Sequence, residues 1–164
     1  MTTTVRPAWV TATVRPDHPD ATELLREYMT EMVVRYHGRP ARPGEVDEAL
    51  AEMPSDDLVY PGGLLLLAHR DGVLAGCAGL RWHPDWAELT RVFVRPAHRG
   101  TGGGAALLAA VEQRARAAGA DRIRLDTRAD LVEARALYAR HGYAEIPAYS
   151  QGPYAEHWFE KRLS

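Results

Sequence analysis

The sequence has almost no cysteine and almost no lysine, one of each in 164 residues, Cys77 and Lys161. A lone thiol cannot close an internal disulfide, and Cys77, between Gly76 and Ala78, reads as a small buried hydrophobe rather than a nucleophile. With lysine nearly missing, positive charge falls to arginine, a bias to which we attach no function. Long apolar runs are missing too. The longest, LLLLA from Leu64, falls far short of the about 20 residues that cross a bilayer. The opening MTTTVRPAWV has neither the charged start nor the apolar core of a signal peptide. Neither sign of charge dominates, since 20 Lys and Arg stand against 22 Asp and Glu, so no nucleic-acid or membrane partner is expected. The 7 histidines are scattered, with no H-E-x-x-H and no paired-cysteine spacing, so no metal is expected. The expectation is a soluble, cytoplasmic protein folded as a single domain over residues 1–164, long enough to bury its own core.

What the sequence does have is an alternation of helical and strand patterns. Asp20 and Glu23 are spaced as a capping box, and Leu24, Leu25, Tyr28, Met32 and Tyr36 follow at helical spacing. Pro40, Pro43 and Gly44 interrupt the chain before a shorter helical run from Glu45 to about Met53, which Pro54 ends. LLLLAHR and VLAGCAGLRWH flank Asp71-Gly72, a dipeptide that favours a tight hairpin. AELTRVFV is a further strand, a glycine-rich loop follows it, and a helix runs from about Gly104 to Ala118 with Gly119 as its stop. RIRLDT reads as a strand, LVEARALYARH as a helix closing on Gly142, and YAEI and HWFEKRL as two last strands. The order ααββ, then β-loop-α-β-α, then ββ predicts a mixed α/β fold of the α+β type. Its sheet is expected to be largely antiparallel, with one βαβ crossover and flanking helices.

In RVFVRPAHRGTGGGAALL the strand ends at Val94, RPAHR intervenes, and GTGGG opens the helix. Unpaired backbone N–H groups and the positive end of the helix dipole meet there, an arrangement that binds anions and phosphate above all. Glycines at 100, 102, 103 and 104 let a phosphate approach the main chain, and Arg95 and Arg99 add charge at the rim. There is no G-x-x-x-x-G-K-[ST], which excludes the nucleoside triphosphate P-loop. Gly100-x-Gly102-x-x-Ala105 satisfies the loose dinucleotide fingerprint, with Asp126 near where a ribose-binding acid belongs. In a Rossmann unit, however, the glycines begin directly at the strand end, close to the start of the domain. A nicotinamide-dependent oxidoreductase stays as an alternative.

The same stretch resembles the acetyl-CoA signature of the GNAT acetyltransferases, a strand followed by Arg/Gln-x-x-Gly-x-Gly/Ala, with Arg99, Gly102 and Gly104 on the defining positions. EARALYARHGYAEI is similar to that family's downstream helix, through Ala134, Leu137, Tyr138, Gly142 and Tyr143. Leu131 stands where many members carry Asn, which removes a side-chain hydrogen bond to the cofactor arm. The resemblance implies an acetyl-CoA-dependent N-acetyltransferase that passes the acetyl group directly from the thioester to a primary amine in a ternary complex, without metal. It implies a pantetheine arm beside Val92, Phe93 and Val94. The pyrophosphate would lie on backbone N–H groups of Arg99, Gly100, Thr101, Gly102, Gly103, Gly104 and Ala105.

An alkyl amine with a pKa of about 10 must lose a proton before it attacks, and a thiolate whose acid has a pKa of about 8.5 must leave. Glu88, on the strand that enters the glycine loop, is the candidate base, a solvated strand glutamate being the alternative. Tyr138 is the candidate acid, a core aromatic being the alternative. Related enzymes admit the acceptor between the first helical pair and the loop joining the last strands. Tyr28, Tyr36, Arg39 and Tyr149 occupy those segments and are the candidate contacts. Aromatics with arginines suit a small amine that also carries a carboxylate, with a protein amine or an aminoglycoside left open. A non-catalytic acyl-CoA-binding module is the second alternative, and a homodimer is left open.

Overall fold

Tight turns set the first half of the sheet. Asp71 and Gly72 have φ of 49° and 83°, the backbone that suits a right-twisted hairpin, and they join β2 (Gly63–Arg70) to β3 (Val73–His83). Pro84 and Asp85, the latter at φ 70°, join β3 to β4 (Trp86–Val94). The computed structural model describes residues 8–163, so Met1 to Pro7, the start of the stretch tested for a signal peptide, lie outside them.

Ahead of the hairpin a strand absent from the expected order, β1 (Trp9–Val14), pairs antiparallel with β2. It is an edge strand whose residues alternate only between half-buried and exposed, so its pattern lacks the apolar contrast that marks a buried strand. Helix α1 (Pro19–His37) follows. Its N-cap is His18, whose Nδ1 accepts from the Asp20 N–H at 3.1 Å. The expected Asp20–Glu23 capping box does not form, because Glu23 reaches out to Arg95 instead. Helix α2 (Glu45–Glu52) precedes β2, while α3 (Gly103–Ala117), β5 (Arg122–Thr127), α4 (Val132–Arg140), β6 (Ala144–Ile146) and β7 (His157–Arg162) complete the order.

The 7-stranded sheet runs β1-β2-β3-β4-β5-β7-β6. β4 and β5 are parallel, joined through α3, and the other neighbours are antiparallel. This is the expected mixed, largely antiparallel sheet with one βαβ crossover. It is not the doubly wound parallel sheet of a dinucleotide-binding unit, which removes the structural context the loose glycine fingerprint needs.

Both faces are covered. Leu107, Leu108, Val111 and Ala115 of α3 pack on Leu66, Leu80, Leu89, Ile123 and Leu125, and Leu24 and Leu25 of α1 pack on Leu65, Leu67, Cys77 and Phe93. The LLLL run is apolar throughout because β2 buries alternate residues on opposite faces. Each fully buried leucine contributes about 1.5–3 kcal/mol. Among the described residues no helix is long and apolar enough to cross a membrane.

One irregularity positions everything below. β4 and β5 pair only from Trp86↔Arg122 to Leu89↔Leu125. Beyond Leu89, β4 keeps β3 as its partner while Asp126 and Thr127 pair only with β7. The β3–β4 register slips between Gly79↔Thr90 and Cys77↔Phe93, and Arg91 stands there at φ 58°. A left-handed residue in a bulge bends its strand, and here the two parallel strands diverge.

Cys77 is fully buried, its thiol donating to the Arg91 carbonyl at 3.3 Å, and burial pushes its pKa up to about 12. Its thiolate fraction at neutral pH is therefore negligible. Iodoacetamide at neutral pH is expected to label the native protein roughly a hundredfold or more slowly than the urea-unfolded chain, as followed by mass spectrometry. Comparable rates would mean that the thiol is reachable and the core around it open.

Candidate active site

The diverging strands open a cleft of about 1200 Å³. Its walls come from β4 between Glu88 and Val94, the loop and first turn of α3, most of α4, the end of β5, α1, and the segment from Ser150 to Ala155.

The anion cradle is built at the start of α3. After β4 the chain makes a 3-10 turn over Pro96–His98 and reaches Gly102, the N-cap at φ 92°. The first backbone N–H to bond within the helix is that of Ala106, to the Gly102 carbonyl at 3.0 Å. The N–H groups of residues 100–105 find no acceptor among the described residues, so a run of free donors faces the positive end of α3. The glycines answer to different constraints. Gly100 and Gly102 have φ of 75° and 92°, with open space where a Cβ would stand. A Cβ on Gly103 would come within 2.6 Å of the Trp9 ring, and one on Gly104 within 2.6 Å of Leu137. What presses on the last two glycines is thus protein, an indole from β1 and a leucine from α4. Ligand approach alone, the expectation from the sequence, does not account for them.

Trp9 also donates its Nε1–H to the Thr101 carbonyl at 3.0 Å, and the Thr101 hydroxyl donates to the His98 carbonyl at 2.6 Å. Thr101 is turned into the loop and lies off the cleft wall, while Gly100, Gly102, Gly103, Gly104 and Ala105 line it. The two rim arginines separate. Arg95 is drawn to α1, where it meets Glu27 at 2.7 Å and Glu23 at 2.8 Å, and adds no charge to the cleft. Arg99 stays in the wall; its Nε donates to the Val94 carbonyl at 2.8 Å, and its Nη2 meets Glu31 at 3.1 Å.

Val92, Phe93 and Val94 line the cleft along the edge of β4 that β5 leaves free. Glu88 lines it at the closed end, with Arg81 Nη1 at 3.7 Å and His83 Nε2 at 3.8 Å from its Oε1. Tyr138 is buried on α4 with its ring against Tyr143 and Phe159, at 5.7 and 6.1 Å between centroids. Its hydroxyl finds no hydrogen-bond partner among the described residues, and the side chain reaches the cleft wall. Burial, with smaller contributions from Tyr28 and Asp126, holds the Tyr138 phenol above its ordinary pKa.

Tyr28 also lines the cleft. Three other acceptor-side candidates do not: Tyr36 packs edge-on against Tyr154 at 5.4 Å, Arg39 grips Glu45 at 2.7 and 3.1 Å, and Tyr149 packs edge-on against Trp86 at 5.5 Å. Charged wall residues that the sequence reading left out include Arg91 and, as an acceptor contact, Asp126. Arg91 gave no signal, since nothing in AELTRVFV marks a left-handed residue. Asp126, weighed only as a ribose ligand, accepts from the Ser150 hydroxyl at 3.1 Å. The residue is exposed to solvent. The enclosing protein still desolvates it enough to hold its carboxyl above the usual range, against the pull of Ser150, Arg91 and Arg81.

The sequence matches the acetyltransferase (GNAT) family over residues 19–143. It is 34% identical over 99 residues to an IAA acetyltransferase of Azospirillum brasilense, a match covering 59% of this chain and 63% of that one, so the chain spans less than two thirds of that relative. Among solved structures, it resembles the PaiA N-acetyltransferase of Thermoplasma acidophilum in complex with coenzyme A (TM-score 0.72, 19% identity, 95% of this chain and 99% of that one). A GNAT-family acetyltransferase of Staphylococcus aureus superposes equally well (TM-score 0.72, 18% identity, 96% and 100%). The run of free N–H donors beside a free strand edge fits a ligand that carries a diphosphate and an amide-bearing arm.

Gly102→Val places a β-branched residue at φ 92°, a strain of about 1–3 kcal/mol. The variant is expected to melt at a lower temperature and to bind CoA at least about tenfold more weakly by calorimetry, about 1.4 kcal/mol. Unchanged affinity in a folded variant would remove the loop from the site.

Proposed function

Because the chain belongs to the GNAT acetyltransferase family, we propose that it is an acetyl-CoA-dependent N-acetyltransferase, passing the acetyl group directly to a primary amine of a small molecule or protein. The reading rests on one observation above all, the free backbone N–H groups from Gly100 to Ala105 at the head of α3, continuous with the free edge of β4. Acetyl-CoA supplies an acyl group already activated as a thioester. The loop donors and the dipole of α3 hold the diphosphate, and the backbone of Val92 to Val94 pairs with the amides of the arm. Arg99 stands beside that edge, its Nε already on the Val94 carbonyl.

Glu88 receives the proton that the incoming ammonium must shed, directly or through one water. Arg81 and His83 stand 3.7 and 3.8 Å from its carboxylate. Tyr138 gives the balancing proton on the leaving side. With its pKa raised by burial, the phenol stays protonated throughout neutral pH and donates only as negative charge builds on the sulfur. Cys77 takes no part: it is fully buried among α1, β2 and β4 side chains and does not reach the cleft wall, and direct transfer needs no acyl-enzyme. A module that only binds acyl-CoA would have no use for a carboxylate and an unbonded phenol on the same cleft. In this reading the protein acts in the cytoplasm.

Glu88→Gln keeps shape and loses proton affinity. Turnover with the best amine is expected to fall about tenfold or more and to lose much of its rise with pH. A wild-type rate and pH profile would make Glu88 a bystander.

Tyr138→Phe removes only a hydroxyl without a protein partner, so stability should change by no more than about 1 kcal/mol. Single-turnover acetyl transfer is expected to slow roughly ten- to a thousandfold while acetyl-CoA affinity stays within about threefold, the pattern of an interaction made in the transition state. Wild-type transfer would return Tyr138 to the core.

A further inference from the structure

The acceptor side of the cleft holds a buried cation that no anion meets. Arg91 is 9% exposed, and its guanidinium lies 5.7 Å from the centre of the Tyr28 ring. It donates only to neutral acceptors: Nε to Ser55 Oγ at 3.1 Å, Nη1 to Thr90 Oγ1 at 3.0 Å, and Nη2 to the Met53 carbonyl at 3.0 Å. No carboxylate of the described residues forms an ion pair with it. The cleft arginines at 35, 81 and 99, by contrast, reach Glu31 or Asp57 at 3.4, 2.6 and 3.1 Å. A guanidinium carries about five N–H donors, so one hydrogen on each terminal nitrogen of Arg91 is left over. A cation withdrawn from water is costly unless an anion answers it.

The anion on the facing strand is equally alone. Asp126 follows Leu125, the last residue of β5 to pair with β4, as Thr90 and Arg91 follow Leu89. The two charged groups therefore stand on either side of the point where the strands part. Asp126 accepts from the Ser150 hydroxyl and is in no ion pair with a described residue. Burial holds the Asp126 carboxyl above its ordinary range and Ser150 and Arg91 draw it part of the way back, but Arg91 and Asp126 do not touch. Tyr28, Met32 and Met53 supply apolar wall to the same cleft.

An unpaired cation and an unpaired anion in the wall of one cleft, with apolar side chains among its other lining residues, are complementary to a zwitterion. We propose that the acetyl acceptor is a small amino carboxylate, best an amino acid with an apolar side chain, whose carboxylate is held by Arg91 and whose ammonium is oriented by Asp126. The inference rests on the acetyltransferase reading of this cleft. Glu88 remains the proton acceptor, and Arg91 becomes the group that sets specificity. A site built to meet a carboxylate rejects the analogue that lacks it, because its buried donors are then left unsatisfied.

The test is CoA release by the full chain with matched sets of amines: methionine or phenylalanine, the corresponding carboxamide, and the decarboxylated amine, compared at equal free-amine concentration. A polyamine, an aminoglycoside and a lysine-containing peptide complete the panel. The amino acid is expected to exceed its carboxamide and its decarboxylated amine in kcat/KM by about tenfold or more, and the deaminated acid to inhibit competitively against it. Arg91→Gln is expected to shrink that preference to within about threefold through the amino acid alone. Arg91 also ties Ser55 and Met53 to β4 and the variant could fail to fold, but the wild-type series decides the matter without it. Carboxamides used as well as acids, or a preference for the carboxylate-free amines, would overturn the inference and leave acetyl transfer standing. Failure of every amine to release CoA from a protein that binds acetyl-CoA would overturn the transferase reading and this inference together.

Discussion

The parting of β4 from β5 after Leu89 is the constraint on which the rest of the site depends. Two parallel strands that stay paired to their ends would leave no cleft and no free edge. The bulge at Arg91, with its left-handed φ of 58°, spends some backbone strain to turn β4 away while β3 keeps its partner. The separation has three results at once. It frees the N–H and carbonyl groups of β4 for an extended ligand, it brings the end of β4 beneath the head of α3, and it opens the interior of the sheet to groups on both strands. Divergent strands are stable only if something else binds them at the rims, and helices on both faces do so here through two separate apolar clusters.

The charge network around the glycine loop works to the same end. Arg95 and Arg99 belong to the segment that leaves β4, and both are anchored to glutamates of α1, Arg95 to Glu23 and Glu27 and Arg99 to Glu31. Exposed ion pairs of this kind stabilise a fold by little, typically up to about 1 kcal/mol each. Their larger contribution is positional, since they fix the exit of β4 against one face while Trp9 and Leu137 press the start of α3 from the other. The loop is thus pinned largely from outside by side chains, with the Thr101 hydroxyl on the His98 carbonyl as an internal tie, and the backbone donors of residues 100–105 remain free.

How much of this was legible in the sequence follows from where each signal resides. Local chemistry was readable: Asp71-Gly72 makes its turn, Gly119 and Gly142 sit past helix ends at φ 86° and 88°, and the four-leucine run is a strand. The βαβ crossover followed from element order. Signals that arise only through distant contacts were not readable. β1 is a strand because β2 needs an edge partner, the capping of α1 passed to His18 because Glu23 has a better partner in Arg95, and Gly103 is explained by a tryptophan far back in the chain. In the site, Glu88, Tyr138 and most of the glycine loop could be named from spacing and resemblance. Tyr36, Arg39 and Tyr149 could not be excluded, because only packing shows that their side chains turn elsewhere. Arg91 and Asp126 were invisible as a pair, since nothing along the chain reveals that two strands stop touching between them.

The contact between Trp9 and Gly103 reaches beyond this one molecule. The indole fills the space that a side chain at 103 would take, and a hydrogen at 103 is what lets the indole approach the helix head so closely. The two positions form a size-complementary pair across β1 and α3. Among descendants of this sequence they should drift together, a smaller residue at 9 permitting alanine at 103, whereas Gly102, held by its backbone angle alone, should stay fixed whatever happens at the neighbouring strand.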